Sequence, residues 1–324
     1  MWRGMLVFLL LRSGCFSPLS AQDSLLWHGM ERQIRYMPTD EGFHIHNGTR
    51  RFNRALYGGH TAFRVEAGDL PQFALYLPGM GGSMQLGLSG ASGSKWLIDA
   101  ENIDAWYESG QMYYAISDEW LEGGTLYVYV MALPSSDGII LKIRTKNIPA
   151  GLSLVWAFGG ATGKRFNRDG DIGADPESVF YLLPEHCRDN HYVVEQHTFS
   201  LLFGSGKPRI AAEGYGRHWP RDSISGILAD GEKILQGIVP PSMQLKISDA
   251  GALQHPSGVW NAEVLQAPVL VGILPLASAD THYFCVQVPN TGRSLPRYEE
   301  LPVWFESARS VVTASRSNSG AYTR

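Results

Sequence analysis

The chain has 324 residues and a formal net charge of −4, with 44% hydrophobic and 18% charged positions, enough apolar material to bury a large core. The acidic balance argues against a polyanionic partner such as nucleic acid. Three cysteines are too few for a disulfide scaffold.

At the N-terminus, Met5-Leu6-Val7-Phe8-Leu9-Leu10-Leu11 follows Arg3 and precedes Ser-Pro-Leu-Ser-Ala. This is the pattern of a secretory signal peptide, residues 1–21, too short to stay as a membrane span. Cleavage after Ala21 makes Gln22 the new terminus. Cys15 in Arg12-Ser13-Gly14-Cys15 raises a lipoprotein alternative, which Arg12 disfavours because such signals carry an aliphatic residue there. Cleavage removes Arg3 and Arg12 and no acid, leaving 25 basic against 31 acidic residues and a net charge of −6. The expectation is a soluble exported protein, periplasmic or extracellular. Of the cysteines only Cys187 and Cys285 remain, and they can pair if their Cα atoms lie within about 7 Å.

From about residue 34 to 290 the chain reads as strands and turns. Phe43 to His46 leads into an Asn47-Gly48 hairpin signal. Strands are expected at 63–67, 72–77 and 84–88. Gly123-Gly124 then precedes a strand whose Leu126, Val128 and Val130 face one way and Tyr127, Tyr129 and Met131 the other. Apolar on both faces, that strand belongs inside a two-layer structure. Ser136-Asp137-Gly138 turns into a partner in which Ile139, Leu141 and Ile143 alternate with Ile140, Lys142 and Arg144. Further strands are expected at 152–158, 192–203, 224–229, 232–238, 243–247, 269–274 and 282–288. Helical periodicity is nearly absent, so short antiparallel connections are favoured over crossover helices. The fold class is all-β: one large antiparallel β-sandwich, supersandwich-like, over residues 22–300. After Pro302, Trp304, Ala308, Val311, Val312 and Ser315 share a helical face with no evident partner. Residues 301–324 read as the start of a helical segment that ends early.

Gly163 to Ser178, GKRFNRDGDIGADPES, is the most polar loop. It is not a phosphate-binding loop, because Phe158 and Arg165 occupy the required glycine and Ser/Thr positions. Nor is it an EF-hand, because Ile172 and Ser178 stand where glycine and glutamate are needed. Two readings stay open. Asp169, Asp171 and Asp175 gather oxygen ligands round Ca²⁺, or they are neutralised by Lys164, Arg165 and Arg168 while Asp175 caps a short helix at Pro176. Arg165 and Arg168 are also candidates to face substrate.

Tyr215, Arg217 and Trp219, within Gly214 to Asp222, combine aromatic faces that stack on sugar rings with groups that bond hydroxyls. Covering a core edge is the competing explanation. Glu66 and Asp69 are weak catalytic candidates, since two carboxylates flanking a cleft can hydrolyse a glycosidic bond when their spacing suits it. His44 and His46 share a strand face, but no third metal ligand is assignable. Gly79-Met80-Gly81-Gly82 reads as a tight corner. The usual nucleophile-elbow, zinc-helix and Cys-x-x-Cys signatures are missing from the sequence.

Several stretches carry a family resemblance: Leu26 to Glu31, Asn47 to Gly58, Phe63 to Pro71, and Trp156 to Gly160 with the polar loop after it. From about residue 26 to 312 the chain resembles an uncharacterised secreted family found mainly in Bacteroidota. In that family a β-rich region precedes an (α/α)6 barrel of six-hairpin glycosidase type. The resemblance implies carbohydrate processing, of a complex polysaccharide, with the acid and base in the helical barrel that this chain does not contain. It also makes residues 303–313 look like the entry to that barrel. Three functions follow as expectations: a non-catalytic sandwich lending loops to a sugar-binding cleft, a stand-alone carbohydrate-binding module, or an enzyme using Glu66, Asp69, Asp169 or Asp171. Carbohydrate and the missing helical domain are the expected partners.

Overall fold

The computed structural model describes residues 24–27, 30–33, 35–58, 63–77, 80–108, 110–160, 180–188, 190–202, 234–264, 266–289 and 295–319. The chain divides into two units, Met1–Arg35 and Tyr36–Arg324. In the first, β1 (Ser24–Trp27) and β2 (Met30–Gln33) pair antiparallel, Trp27 opposite Met30. The strand pattern read from about residue 34 onward does not reach this hairpin.

In the second unit, β3 (Met37–Pro38), β4 (Gly42–His46), β5 (Arg54–Tyr57), β6 (Arg64–Ala67), β7 (Gln72–Leu77), β8 (Met80–Gly90) and β9 (Gly93–Trp96) come first. They are followed by β10 (Asn102–Glu108), β11 (Gln111–Ser117), β12 (Thr125–Ala132), β13 (Gly138–Lys146) and β14 (Ser153–Gly159). After the short helix α1 (Pro184–Cys187) come β15 (His191–Glu195), β16 (Thr198–Leu202), β17 (Ile234–Ile238) and β18 (Gln244–Asp249). Helix α2 (Pro256–Asn261), β19 (Pro268–Pro275), β20 (Thr281–Gln287) and helix α3 (Leu301–Ser319) complete it. A ten-stranded sheet has the order β15-β16-β17-β20-β13-β12-β11-β10-β4-β3; an eight-stranded sheet has β18-β19-β14-β8-β7-β6-β5, with β9 paired to β8. Every pairing is antiparallel. One apolar core between the sheets draws on both, so this is the single large sandwich that the strand pattern predicts.

Strand β12 shows why two layers are not enough. Leu126, Val128 and Val130 enter the core between the sheets, while Met131 and part of Tyr129 lie on the opposite, outer face. Ile140 of β13, Cys285 of β20 and Ile238 of β17 add to that outer apolar patch, and α3 covers it with Leu301, Phe305 and Ala308. The helix that had no evident partner in the sequence therefore packs on the ten-stranded sheet. Its buried face is also different from the expected one. Leu301, Phe305 and Ala308 are buried, with Trp304 partly so, whereas Val311 is 46% exposed. The side chains of Val312 and Ser315 lie outside the described residues. Positions 301, 304, 305 and 308 form the i, i+3, i+4, i+7 stripe of one helical face, centred on the bulky Phe305.

Lys142 fixes this contact from the sheet side. Its Nζ lies 5.8 Å from the ring of Tyr129, 5.9 Å from Tyr283 and 5.1 Å from Phe305, and 3.6 Å from Glu306 Oε1. The ammonium thus rests in an aromatic cage closed by the helix, which satisfies it without full exposure to water.

Several turns differ from their sequence reading. Asn47-Gly48 does not close a hairpin, because β4 pairs with β10 and β3 while the chain crosses to β5 in the other sheet. Asn47 instead takes a φ of 47° and bonds the start of β10: its Oδ1 accepts from Ile103 N at 2.8 Å and its Nδ2 donates to Glu101 O at 3.2 Å. Before Gly123, a 3-10 turn at Glu119–Leu121, capped by Asp118, replaces a simple hairpin. The expected single strand at 192–203 is two, β15 and β16, folded at Gln196 with a φ of 55°. The expected strand at 224–229 lies outside the described residues.

Cys187 and Cys285 are both free and buried. Cys187 sits with Val155, Ala157 and Val269 outside the eight-stranded sheet, whereas Cys285 lies under α3 outside the ten-stranded one. The whole sandwich separates them, which puts them beyond disulfide reach. Burial pushes each thiol up to about 12. Among the described residues no helix is long and apolar enough to cross a membrane.

Removing the Phe305 ring should uncover the outer patch and undo the Lys142 cage. Phe305→Ala is expected to lower unfolding free energy by about 3 kcal/mol. Val303→Ala, at a position 69% exposed on the far side of the same helix, should stay within about 0.5 kcal/mol of wild type. Urea denaturation of the two variants measures both.

Candidate functional site

Arg165, Arg168, Asp169, Asp171, Asp175, Tyr215, Arg217 and Trp219 lie outside the described residues, as does the signal segment 1–21. The residues that bracket them do not. Strand β14 ends at Gly159, opposite Ser83 of β8, and Ser83 Oγ donates to Phe180 O at 2.6 Å. Strand β16 ends with Leu202 opposite Ile234 at the start of β17. The two sheets touch here: a Cβ on Gly82 would lie 2.6 Å from Phe158 Cζ and 3.6 Å from Leu235 Cδ1, so only glycine fits. Tyr192 Oη also donates to Phe158 O at 3.0 Å. The anchor residues of segments 161–179 and 203–233 therefore share one end of the sandwich. Of the stretch expected to form a tight corner, Met80, Gly81 and Gly82 are instead part of β8, opposite Leu77, Tyr76 and Leu75 at this end, and Gly79 lies outside the described residues.

Asp69 and Glu66, three residues apart, have different surroundings. Asp69 is 3% exposed and accepts from Tyr36 Oη at 2.9 and 3.0 Å, from Arg50 N at 3.1 Å and from Asn53 Nδ2 at 3.2 Å. It pins the 50–53 segment against the β6–β7 turn. Gly68 permits that approach, since a Cβ there would lie 2.3 Å from Arg51 O. Burial, and then the Asp69 charge, raise the Tyr36 hydroxyl above its usual range, which keeps it a donor.

Glu66 is 0% exposed on the outer face of the eight-stranded sheet and pairs with Arg64 Nε. Burial raises its carboxyl above the ordinary value, and the Arg64 guanidinium only partly opposes this. Glu66 and Asp69 thus sit in different surroundings, one beside a guanidinium and the other among a phenol, an amide and a backbone N–H.

Around Glu66 stands a belt of planar polar and aromatic groups. Arg64 Cζ lies 4.4 Å over the Tyr76 ring and Arg51 Cζ 4.4 Å over Tyr181. Arg51 Nη1 donates to Gln72 Oε1 at 3.4 Å. Phe52, Phe180, Tyr181 and Tyr76 form a connected aromatic wall with centroid separations of 5.5 to 6.3 Å. Aromatic faces beside amides, a carboxyl and guanidiniums are the surface chemistry of a polar small-molecule site. Apart from Glu66, sequence reasoning missed these residues. The available signal was polar Gln72 and Gln85 within otherwise apolar strands.

His44 and His46 converge on one carboxylate. His44 Nε2 lies 2.7 Å and His46 Nδ1 3.1 Å from the same Asp104 Oδ1 on the neighbouring β10. His44 stacks on Trp106 at 4.6 Å, Trp106 on Tyr113 at 4.7 Å, and Tyr113 on Tyr129 at 5.6 Å. Each step is a directly opposed cross-strand pair. Because the rings face one another, the row shows edges rather than faces to solvent, which suits holding strands together more than stacking a sugar. Among the described residues, no three His, Cys, Asp or Glu side chains are grouped to hold a metal ion.

Residues 77–309 match the family described as "Domain of unknown function (DUF4450)". That is more than half of the chain, which therefore belongs to this family. No curated protein matches. Among solved structures the chain is similar to a bacterial glucoamylase crystallised with acarbose, at 6% identity and a TM-score of 0.44. The similarity covers 84% of this chain and 38% of that one, so the chain spans well under half of that structure.

The raised Glu66 carboxyl fixes the sign of a pH effect. Its protonated form is favoured in the folded state, so its stabilisation is full below the ordinary carboxylate value and is lost as pH rises through the raised value. Urea midpoints of wild type should therefore fall relative to Glu66→Gln as pH rises from about 4 to about 7. A constant difference across that window would show that Glu66 titrates normally.

Proposed function

We propose that this chain is the non-catalytic β-sandwich part of a glycoside hydrolase-like protein acting on complex polysaccharide, and that it lends loops to a sugar-binding cleft. The observation that carries this reading is the convergence at one end of the sandwich. The anchors of 161–179, which holds Arg165 and Arg168, meet those of 203–233, which holds Tyr215, Arg217 and Trp219. Both segments leave from that end, and basic and aromatic side chains of the kinds they carry can stack on sugar rings and bond their hydroxyls. Asp69, with its oxygens engaged by Tyr36, Asn53 and Arg50, serves in this reading to hold the adjoining loop. Ca²⁺ at Asp169, Asp171 and Asp175 would stiffen their segment, and export through residues 1–21 would bring the protein to polysaccharide outside the cytoplasm. A helical domain is the expected catalytic partner.

The mature chain from Gln22 should bind at least one member of a broad polysaccharide panel in the micromolar to millimolar range by affinity electrophoresis. It should release no reducing ends. Trp219→Ala should weaken binding about tenfold while leaving the far-UV circular dichroism unchanged. Failure to bind any polysaccharide overturns the proposal. Turnover abolished by Glu66→Gln would replace it with the enzymatic alternative.

A further inference from the structure

Glu66 and Gln72 are both 0% exposed, and each carries a polar atom with no hydrogen-bond partner among the described residues: Glu66 Oε2 and Gln72 Nε2. Gln85 Oε1 is buried in the same condition. Strand geometry places the three together. Gln72 and Gln85 are directly opposed on β7 and β8, and Glu66 is opposed to Ala74, two residues from Gln72 on the same face. Directly opposed side chains start about 5 Å apart and diagonal ones about 7–8 Å, within reach of each other for Glu and Gln. Their neighbours on this face are small: Ala74 lies between Glu66 and Ser83, and Ala157 lies beside Gln85.

A buried amide donor, an amide acceptor and a carboxyl oxygen left open at one place carry a substantial desolvation cost. A hydroxyl group relieves all three, because it both donates and accepts. We infer that the outer face of the eight-stranded sheet holds a subsite for one ring of an uncharged, hydroxyl-rich ligand, with Glu66, Gln72 and Gln85 bonding its hydroxyls and the Phe52–Phe180–Tyr181 wall covering it. This deepens the sugar-binding reading above and rests on it.

The charge balance selects a neutral sugar over an acidic one. A uronate carboxylate brought here would set a second acid beside Glu66 and meet the acceptor Gln85 Oε1, against the single amide donor of Gln72. Arg64 Nε is already committed to Glu66, and Arg51 Nη1 to Gln72 Oε1. Arg51 and Tyr181, joined by a cation–π contact, are partly exposed, so a ligand reaches the buried atoms by displacing them. Ordered water has the same hydroxyl chemistry and is the alternative occupant.

The full mature chain is titrated by calorimetry with glucose, galactose, mannose, xylose, glucuronate and galacturonate, and its structure is determined with the best binder present. At least one neutral sugar should bind, about tenfold or more tighter than either uronate. Gln85→Met and Gln72→Met should each weaken it about tenfold, with thermal midpoints confirming that each variant is folded. Gln85, the less buried of the two amides, tolerates replacement if Gln72 does not. Val303→Ala, exposed on the helix over the other sheet, should leave monosaccharide binding unchanged. Equal binding by the Met variants, preference for uronates, or density for water alone at the three atoms overturns the subsite. If polysaccharide binding persists through those outcomes, the broader reading stands; if no glycan of any length binds, both fall.

Discussion

Strands β12 and β13 are apolar on both faces, and the rest of the molecule is arranged to cover them. Val128, Leu141 and Ile143 need the eight-stranded sheet on one side, while Met131 and Ile140 need another layer on the other. Burying a large aliphatic side chain contributes about 1.5–3 kcal/mol, so leaving either face in water would forfeit several such terms. Helix α3 is that third layer. The Lys142 cage follows from the same demand: a cation in the middle of the covered patch is tolerated because Tyr129, Tyr283, Phe305 and Glu306 surround it.

The outer face of the eight-stranded sheet follows a different logic. Toward β18 and β19 it is apolar, covered by α1, α2 and the turn at Ala250. Toward β6 and β7 it becomes polar while staying buried, with Glu66, Gln72, Gln85 and two arginines set among aromatic rings. The contrast between Asp69 and Glu66 makes the change concrete. Asp69 has its acceptors filled by neighbours and behaves as a structural staple, whereas Glu66 keeps one oxygen open in a place where open oxygens are costly. The polar stretch of β6 to β8 and the rim that anchors segments 161–179 and 203–233 adjoin at Ser83, which bonds Phe180.

Much of the fold was legible because β alternation is a short-range property. Leu126, Val128 and Val130 on one face and Ile139, Leu141 and Ile143 on the next strand read directly as a sandwich interior, and they are its centre. Turns were less legible. Asn47-Gly48 has hairpin chemistry, yet Asn47 spends its amide on β10 and the chain leaves for the other sheet. Its conformation was predictable; its destination was not, because that depends on a strand more than fifty residues away. The face of α3 was misjudged for a related reason, since its helical stripe admits more than one rotation and only the patch on β12, β13 and β20 selects the one through Phe305. At the candidate site, Glu66 stood out as a carboxylate near a turn, but Gln72 and Gln85 became notable only when their burial and open bonds were seen.

By itself, then, the sequence determined the fold class, the strands at the heart of both sheets and the presence of a terminal amphipathic helix, because period-2 and period-3.6 patterns record which side chains must leave water. Tertiary structure alone decided that Cys187 and Cys285 lie on opposite outer faces, that His44 and His46 converge on Asp104, and that α3 closes over Lys142. It also set Glu66 beside Arg64 and Asp69 among Tyr36, Asn53 and Arg50. Apart from the Arg64 contact, each of these is set by a partner distant in sequence and adjacent only through strand register, and register is a property of the assembled sheets rather than of any local stretch.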